Sequence, residues 1–166
     1  MSRHVKSALI VRSASFQQLD KNLPELEAFF PEHEFSMLTH EHGVQLAEKY
    51  KVIKHIYVYP YKASFSYWRK FKAANLPSVD AVIVPVANIT GAGFFNVLLF
   101  SLSIRAKKRY LCNMISEIKE FSVVSVLLEG VLNLLYKLLA ALFSLLVMIP
   151  TVLLLLVFLK KIDKKT

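Results

Sequence analysis

Cysteine is almost absent from the chain, which has a single one, Cys112, in 166 residues. A lone thiol excludes both a disulfide framework and a thiolate-rich zinc site. Glycine is limited to four residues, and the loop after the first apolar run, residues 12–20, contains none of them. That argues against a dinucleotide-binding turn at the first strand, where closely approaching glycines are needed. Acidic residues are outnumbered, 12 against 21 Lys+Arg, for a net charge of +9. Such a surplus favours an anionic partner of the phospholipid, phosphosugar or nucleic-acid type. The hydrophobic content of 55% with 20% charged residues excludes a disordered tail, and the length suits one domain of ordinary size.

Charge is missing altogether from residues 138–159, LLAALFSLLVMIPTVLLLLVFL. As a helix this run spans about 33 Å, which matches a bilayer core of roughly 30 Å. It is expected to be a transmembrane anchor. The start of the chain, MSRHVKSALIVRS, offers only a six-residue apolar run and does not read as a signal peptide. The bulk of the chain is therefore expected on the cytoplasmic side, at the inner membrane if the source is bacterial.

Residues 7–113 alternate short β-branched runs with amphipathic ones. Strands are expected at 7–12, 34–40, 51–59, 80–88 and 109–113, and helices at 16–30, 44–50, 65–74 and 94–104. Alternation of this kind predicts an α/β fold with a parallel, Rossmann-like sheet of about five strands and flanking helices. Pro85 interrupts the fourth strand signal, so that strand should end near Val84, leaving PVANITGAG as a loop. The expected organisation is a Rossmann-like domain over 1–114, an amphipathic or membrane-associated helix over 115–137, the transmembrane helix, and a basic tail, 160–166. In FSVVSVLLEGVLNLLYK (121–137), Ser122, Ser125, Glu129, Asn133 and Lys137 recur every three or four residues and would form one polar stripe. This segment either lies in the interface or forms one arm of a hairpin with the anchor. The tail KKIDKKT prefers the cytoplasm by its lysines, which a hairpin of 121–159 with both ends cytoplasmic satisfies; a single pass with the N-terminal domain inside is the equal alternative.

The opening ALIVRSASFQQLDKNLPEL resembles that of the heptosyltransferase family of GT-B glycosyltransferases. Val11-Arg12-Ser13, Ser15 and Leu23-Pro24-Glu25-Leu26 fall in the family's register of strand, basic residue, serine-rich loop and Leu-Pro-x-Leu helix. The likeness continues through FFPEHEFSMLTHEHG and VDAVIVPVAN and ends near KKRYLCN. It implies the acceptor-side half of such an enzyme, with Ser13, Ser15, Gln17, Gln18, Asn88, Thr90 and Gly91 contacting substrate. The family's aspartate base is replaced in this register by Gln18, and glutamine cannot accept a proton at useful pH. Asp20 is the only carboxylate nearby. The donor-side half, which holds the nucleotide sugar, has no counterpart before the anchor. The resemblance thus implies a subunit of a split enzyme, or an adaptor that retained the fold without catalysis.

Two further patterns carry chemistry. Residues 49–72 hold seven Lys/Arg and no acid, interleaved with aromatic residues, while seven of the twelve acids lie between Asp20 and Glu48. Lys62, Trp68, Arg69, Lys70 and Lys72 are expected to meet lipid phosphate, with the aromatic bodies in the headgroup layer. Nucleic acid is not expected as a partner beside a membrane anchor; membrane lipid, a lipid-linked acceptor and a donor-side glycosyltransferase or other membrane protein are. THEHG (39–43) brings His40, Glu41 and His42 together, but without a third converging ligand it reads as a polar loop. No metal or cofactor is expected.

Overall fold

The computed structural model describes residues 5–69 and 76–163. Two compact units are present, Met1–Leu127 and Leu128–Thr166. The first contains one mixed sheet. Its strands are β1 (Lys6–Val11), β2 (His33–His40), β3 (Ile53–Tyr59), β4 (Val79–Pro85), β5 (Ala106–Cys112) and β6 (Ile118–Glu120). They lie in the order β3-β2-β1-β4-β5-β6. The first five are parallel to their neighbours and β6 runs antiparallel to β5. The helices are α1 (Phe16–Phe29), α2 (Val44–Ala47), α3 (Phe95–Ser101) and α4 (Val123–Asp163), with a 3₁₀ turn at Glu41–Gly43 before α2.

Strand alternation divides the core into two layers. On β1, Ala8 and Ile10 face α1 while Leu9 and Val11 face α3; on β4, Ala81 and Ile83 divide from Val82 and Val84 in the same way. Burial on both faces is why these strands read as continuous apolar runs. Leu19, Leu23 and Leu26 of α1 cover one face, and Val97, Leu98 and Phe100 of α3 cover the other. Ser15 caps α1 by accepting the Gln18 amide at 3.2 Å. Pro24 lies inside α1 on its exposed side, where water can take the carbonyl it leaves unbonded. Arg109, on β5, donates to the carbonyls of Ser101 (3.3 Å) and Ile104 (2.8 Å), closing the end of α3. Asp80, at the start of β4, accepts the Ser7 amide at 2.9 Å and pairs with Lys107 at 2.7 Å, joining β1, β4 and β5.

Several expectations are corrected. The sheet has six strands, because residues 118–120 pair with β5 where helix was expected from 115 onward. Buried Asn113 builds the turn between them, accepting from the amides of Ile115 (3.1 Å) and Glu117 (2.9 Å). Such a turn has no hydrophobic period, so its sequence carries no strand signal. The helix expected over 44–50 is one turn, Val44–Ala47, preceded by the 3₁₀ turn. No helix forms over 65–69, where the chain makes one turn at 67–68, and 70–75 lie outside the described residues. Pro85 closes β4, one residue later than expected, opposite Cys112. Its absent N–H leaves no gap, since the β1 pairing ends at Ile83.

The apolar C-terminal segments are joined. One helix runs without a break from Val123 to Asp163, so 121–159 contains no reversal and the hairpin is not formed. Val123–Leu153 is long and apolar enough to cross a membrane. Two members of the expected polar stripe have another use. Ser122 Oγ accepts the Ser125 amide at 3.1 Å, and Ser125 Oγ accepts the Ser122 amide at 3.0 Å, a reciprocal cap that starts α4. Val126, in that first stretch of α4, is buried in the α3-side core.

Candidate functional site

The sheet order reverses between β1 and β4, where loops leaving the carboxyl ends of the strands diverge and a crevice opens. A cleft of about 350 Å³ lies there, lined by residues that follow four strands: Arg12 and Ser13 after β1, His40 and His42 at the end of β2, Lys62 and Ser64 after β3, and Gly93, Phe94 and Asn96 after β4. An adjoining hollow of about 240 Å³ shares His40, His42 and Lys62 and adds Glu41, Tyr59 and Tyr61. No carboxylate lines the first cleft among the described residues, and Glu41 is the one acid of the second.

Arg12 is the central cation. Its Nε donates to Thr39 Oγ1 at 2.7 Å, its Nη2 lies 3.4 Å from His42 Nε2, and its guanidinium stands 4.8 Å from the Phe16 ring centre. None of these partners is an acid, and partial burial lowers its pKa from the ordinary arginine value. Gly43 makes room for this side chain: a Cβ there would collide with Thr39 Oγ1 and approach Arg12 Nε and Nη2 to 3.2 and 3.3 Å.

His40 has a positioning role. The Ala63 carbonyl can only accept, so the 3.1 Å contact places a proton on His40 Nε2. This bond holds the segment that carries Lys62 and Ser64. Burial, opposed by the Ala63 bond and aided by Arg12 and His42, lowers the His40 pKa from the usual histidine value. Its ring packs against those of Phe65 (4.6 Å), Tyr59 (5.3 Å) and His42 (5.5 Å). Ser13 donates its hydroxyl proton to the Pro85 carbonyl, tying the ends of β1 and β4 together beside the cleft.

The residues expected from the family resemblance are distributed more widely. Ser13 lines the cleft, whereas Ser15 is the α1 cap and Gln17 is exposed. Gln18 donates to Asn22 Oδ1 (2.8 Å) and to the Met114 carbonyl (3.0 Å), fastening α1 to the β5–β6 turn. Asp20 accepts a hydrogen bond from the Tyr50 hydroxyl, whose pKa burial and this contact push up to about 12. Asn88 accepts the Gly91 amide and donates to the Ala92 carbonyl, both at 2.6 Å, and Thr90 Oγ1 accepts the Ala92 amide at 3.3 Å. Gly91 has φ +80°, and a Cβ on it would meet Leu111 at 2.8 Å. Asn88, Thr90 and Gly91 therefore shape the loop that delivers Gly93, Phe94 and Asn96 to the cleft.

Among the residues expected at lipid, Lys62 lines the cleft. Trp68 is 83% exposed with Tyr67 edge-on at 5.6 Å, and Arg69 stands 5.4 Å from the ring centre of Tyr61. Lys70 and Lys72 lie outside the described residues. Ser64 and Phe94 belong to no pattern read in the sequence, and neither does any joint use of Arg12 and His42. Their shared signal is position, each one following a strand at its carboxyl end. No group of three or more His, Cys, Asp or Glu able to hold a metal occurs among the described residues.

These features define an α/β protein with a six-stranded, mostly parallel sheet, a cationic cleft at the sheet's carboxyl edge and, among the described residues, one helix long and apolar enough to cross a membrane. Comparison of the chain with family models, curated proteins and solved structures found no match.

Proposed function

We propose that the chain is a membrane-anchored, Rossmann-like domain that serves as the acceptor-side subunit of a split glycosyltransferase in cell-envelope glycan or glycolipid assembly. The observation that carries this reading is the cleft at the switch point, lined by Arg12, His40, His42 and Lys62 with no carboxylate among the described residues. A cationic crevice at that place favours an anionic acceptor. The lack of a carboxylate supports a subunit that binds and orients, with proton removal and the nucleotide sugar supplied by a partner polypeptide. Helix α4 serves as the anchor, membrane lipid is the first partner, and exposed Trp68 with Arg69 suits contact with headgroups. The domain is read as cytoplasmic.

A second reading, a non-catalytic membrane adaptor that retained the fold, is favoured by one observation. Gln18 and Asn88, the residues expected to touch substrate, spend their side-chain hydrogen bonds inside the protein. Purification of the full chain in mild detergent with its bound proteins, followed by a sugar-transfer assay, separates the two. Transfer that is lost in Arg12→Gln and Lys62→Gln supports the first reading. Transfer that survives both substitutions together removes the cleft from the reaction, and the absence of any co-purifying glycosyltransferase favours the adaptor.

A further inference from the structure

The geometry points to a phosphate-monoester site within this cleft, made by Arg12, His42 and Lys62. The inference rests on the reading of the cleft as an acceptor site and names the group on the ligand that the protein grips.

Arginine donates hydrogen bonds and never accepts them. In the 3.4 Å contact between Arg12 Nη2 and His42 Nε2, Arg12 is therefore the donor and His42 Nε2 the acceptor. The contact is longer than the usual 2.7–3.2 Å range of such bonds, and His42 is exposed, so the pair exchanges partners readily. An anion entering the cleft offers Arg12 Nη2 a stronger acceptor. His42, released from Arg12, lies in the same lining and can turn its ring N–H toward that anion.

Arg12 from the end of β1 and Lys62 from the segment after β3 bring two cations to a lining that holds no carboxylate among the described residues. His40, stacked on His42 at 5.5 Å, keeps its own proton committed to the Ala63 carbonyl. The donors come from three separate segments, and Ser64 adds a hydroxyl to the lining. Such a ring exceeds what a carboxylate's two oxygens can use and suits the three terminal oxygens of a phosphate monoester. Ser13 is not part of it, since its proton is already given to Pro85.

The test uses the full chain in phosphatidylcholine nanodiscs, titrated calorimetrically near neutral pH with sulfate and with inorganic phosphate. Both anions should bind the parent, and His42→Gln should weaken the binding of both. Arg12→Gln and Lys62→Gln should each lose about tenfold or more, and Lys54→Gln, an exposed position near the opposite end of β3, should match the parent. Failure of both anions to bind the parent overturns the site. So does a loss in Lys54→Gln equal to that in Lys62→Gln. Replacing part of the lipid with phosphatidic acid distinguishes the ligand's source: competition with sulfate assigns a lipid headgroup, and unchanged sulfate binding assigns a soluble phosphate ester. Either outcome supports the site. Loss of sulfate binding with sugar transfer intact refutes the phosphate site alone; sulfate binding without any transfer refutes the transferase reading alone.

Discussion

Replacing Gly43 with alanine sets two effects of opposite sign against each other. The Gly43 backbone, at φ −96° and ψ −8°, is open to any L-residue. By backbone entropy alone, alanine should stabilise the fold by about 0.4–1 kcal/mol. The added Cβ, however, collides with Thr39 Oγ1 and crowds Arg12 Nε and Nη2. Thr39 is completely buried and Arg12 is hydrogen-bonded to it, so neither moves freely. Overpacking of a fixed site costs about 1–3 kcal/mol, and disturbing a hydrogen bond from a charged donor adds to that. The net expectation is a destabilisation of about 1–2 kcal/mol, a fall in melting temperature of roughly 4–8 °C for a unit of this size. Thermal unfolding of the full chain in detergent, followed by circular dichroism, measures it. The same substitution in a Thr39→Ala background should be close to neutral or stabilising, because the colliding hydroxyl is gone. A Gly43→Ala protein that melts higher than the parent, or an equal loss in both backgrounds, would refute the account of why glycine stands there.

Cys112 is completely buried, and that burial pushes its thiol pKa up to about 12. At pH 8 only about 10⁻⁴ of it is thiolate, so alkylation by iodoacetamide should proceed only through unfolding; rapid labelling of the native protein would contradict its burial in β5. Acidification should destabilise the fold. Burial lowers the pKa of both His33 and His40, so the unfolded chain takes up protons near pH 6.5 that the folded one resists. Stability is full above that pH and falls beneath it; urea unfolding at pH 7.5 and 5.5 checks this, and a gain on acidification would refute it. Leu26→Ala, at a site with no exposure on α1, should cost about 2–5 kcal/mol in the same assay, and a loss below 1 kcal/mol would mean that α1 is not packed as described. Carbonate extraction at high pH should leave the full chain with the membrane fraction, and its release would refute α4 as an anchor.

Much of the fold was legible because it is written in local patterns. Residues 8–11 and 81–85 are apolar on both faces, and such runs become strands only where helices cover both sides of a sheet. In α1, Leu19, Leu23, Leu26 and the serine ahead of it announce a face and a start. The apolar C-terminal run needed only its length. What was not legible lacks a period of its own. β6 has three residues, two of them charged, and exists because β5 offers an unpaired edge and Asn113 turns the chain toward it. The reciprocal cap of Ser122 and Ser125 looks in sequence like part of a polar stripe.

The candidate site divides along the same line. Residue chemistry identified the charge surplus, the aromatic block at 49–72, the His40–His42 pair and the basic residue at the end of the first strand. It could not say that Arg12, His42 and Lys62 share one cleft, because they come from three strand ends separated by 20 residues or more in the chain. Only the strand order β3-β2-β1-β4 brings those ends to one edge and opens a crevice between them. Conversely, Gln18 and Asn88 looked like ligand contacts by their place in a motif, and the tertiary structure commits both to holding the protein together. Local sequence sets which segments are strands and which helices, since propensity and hydrophobic period act over a few residues. Which side chains meet depends on how those segments pack, and that is decided by long-range pairing that no single window of sequence contains.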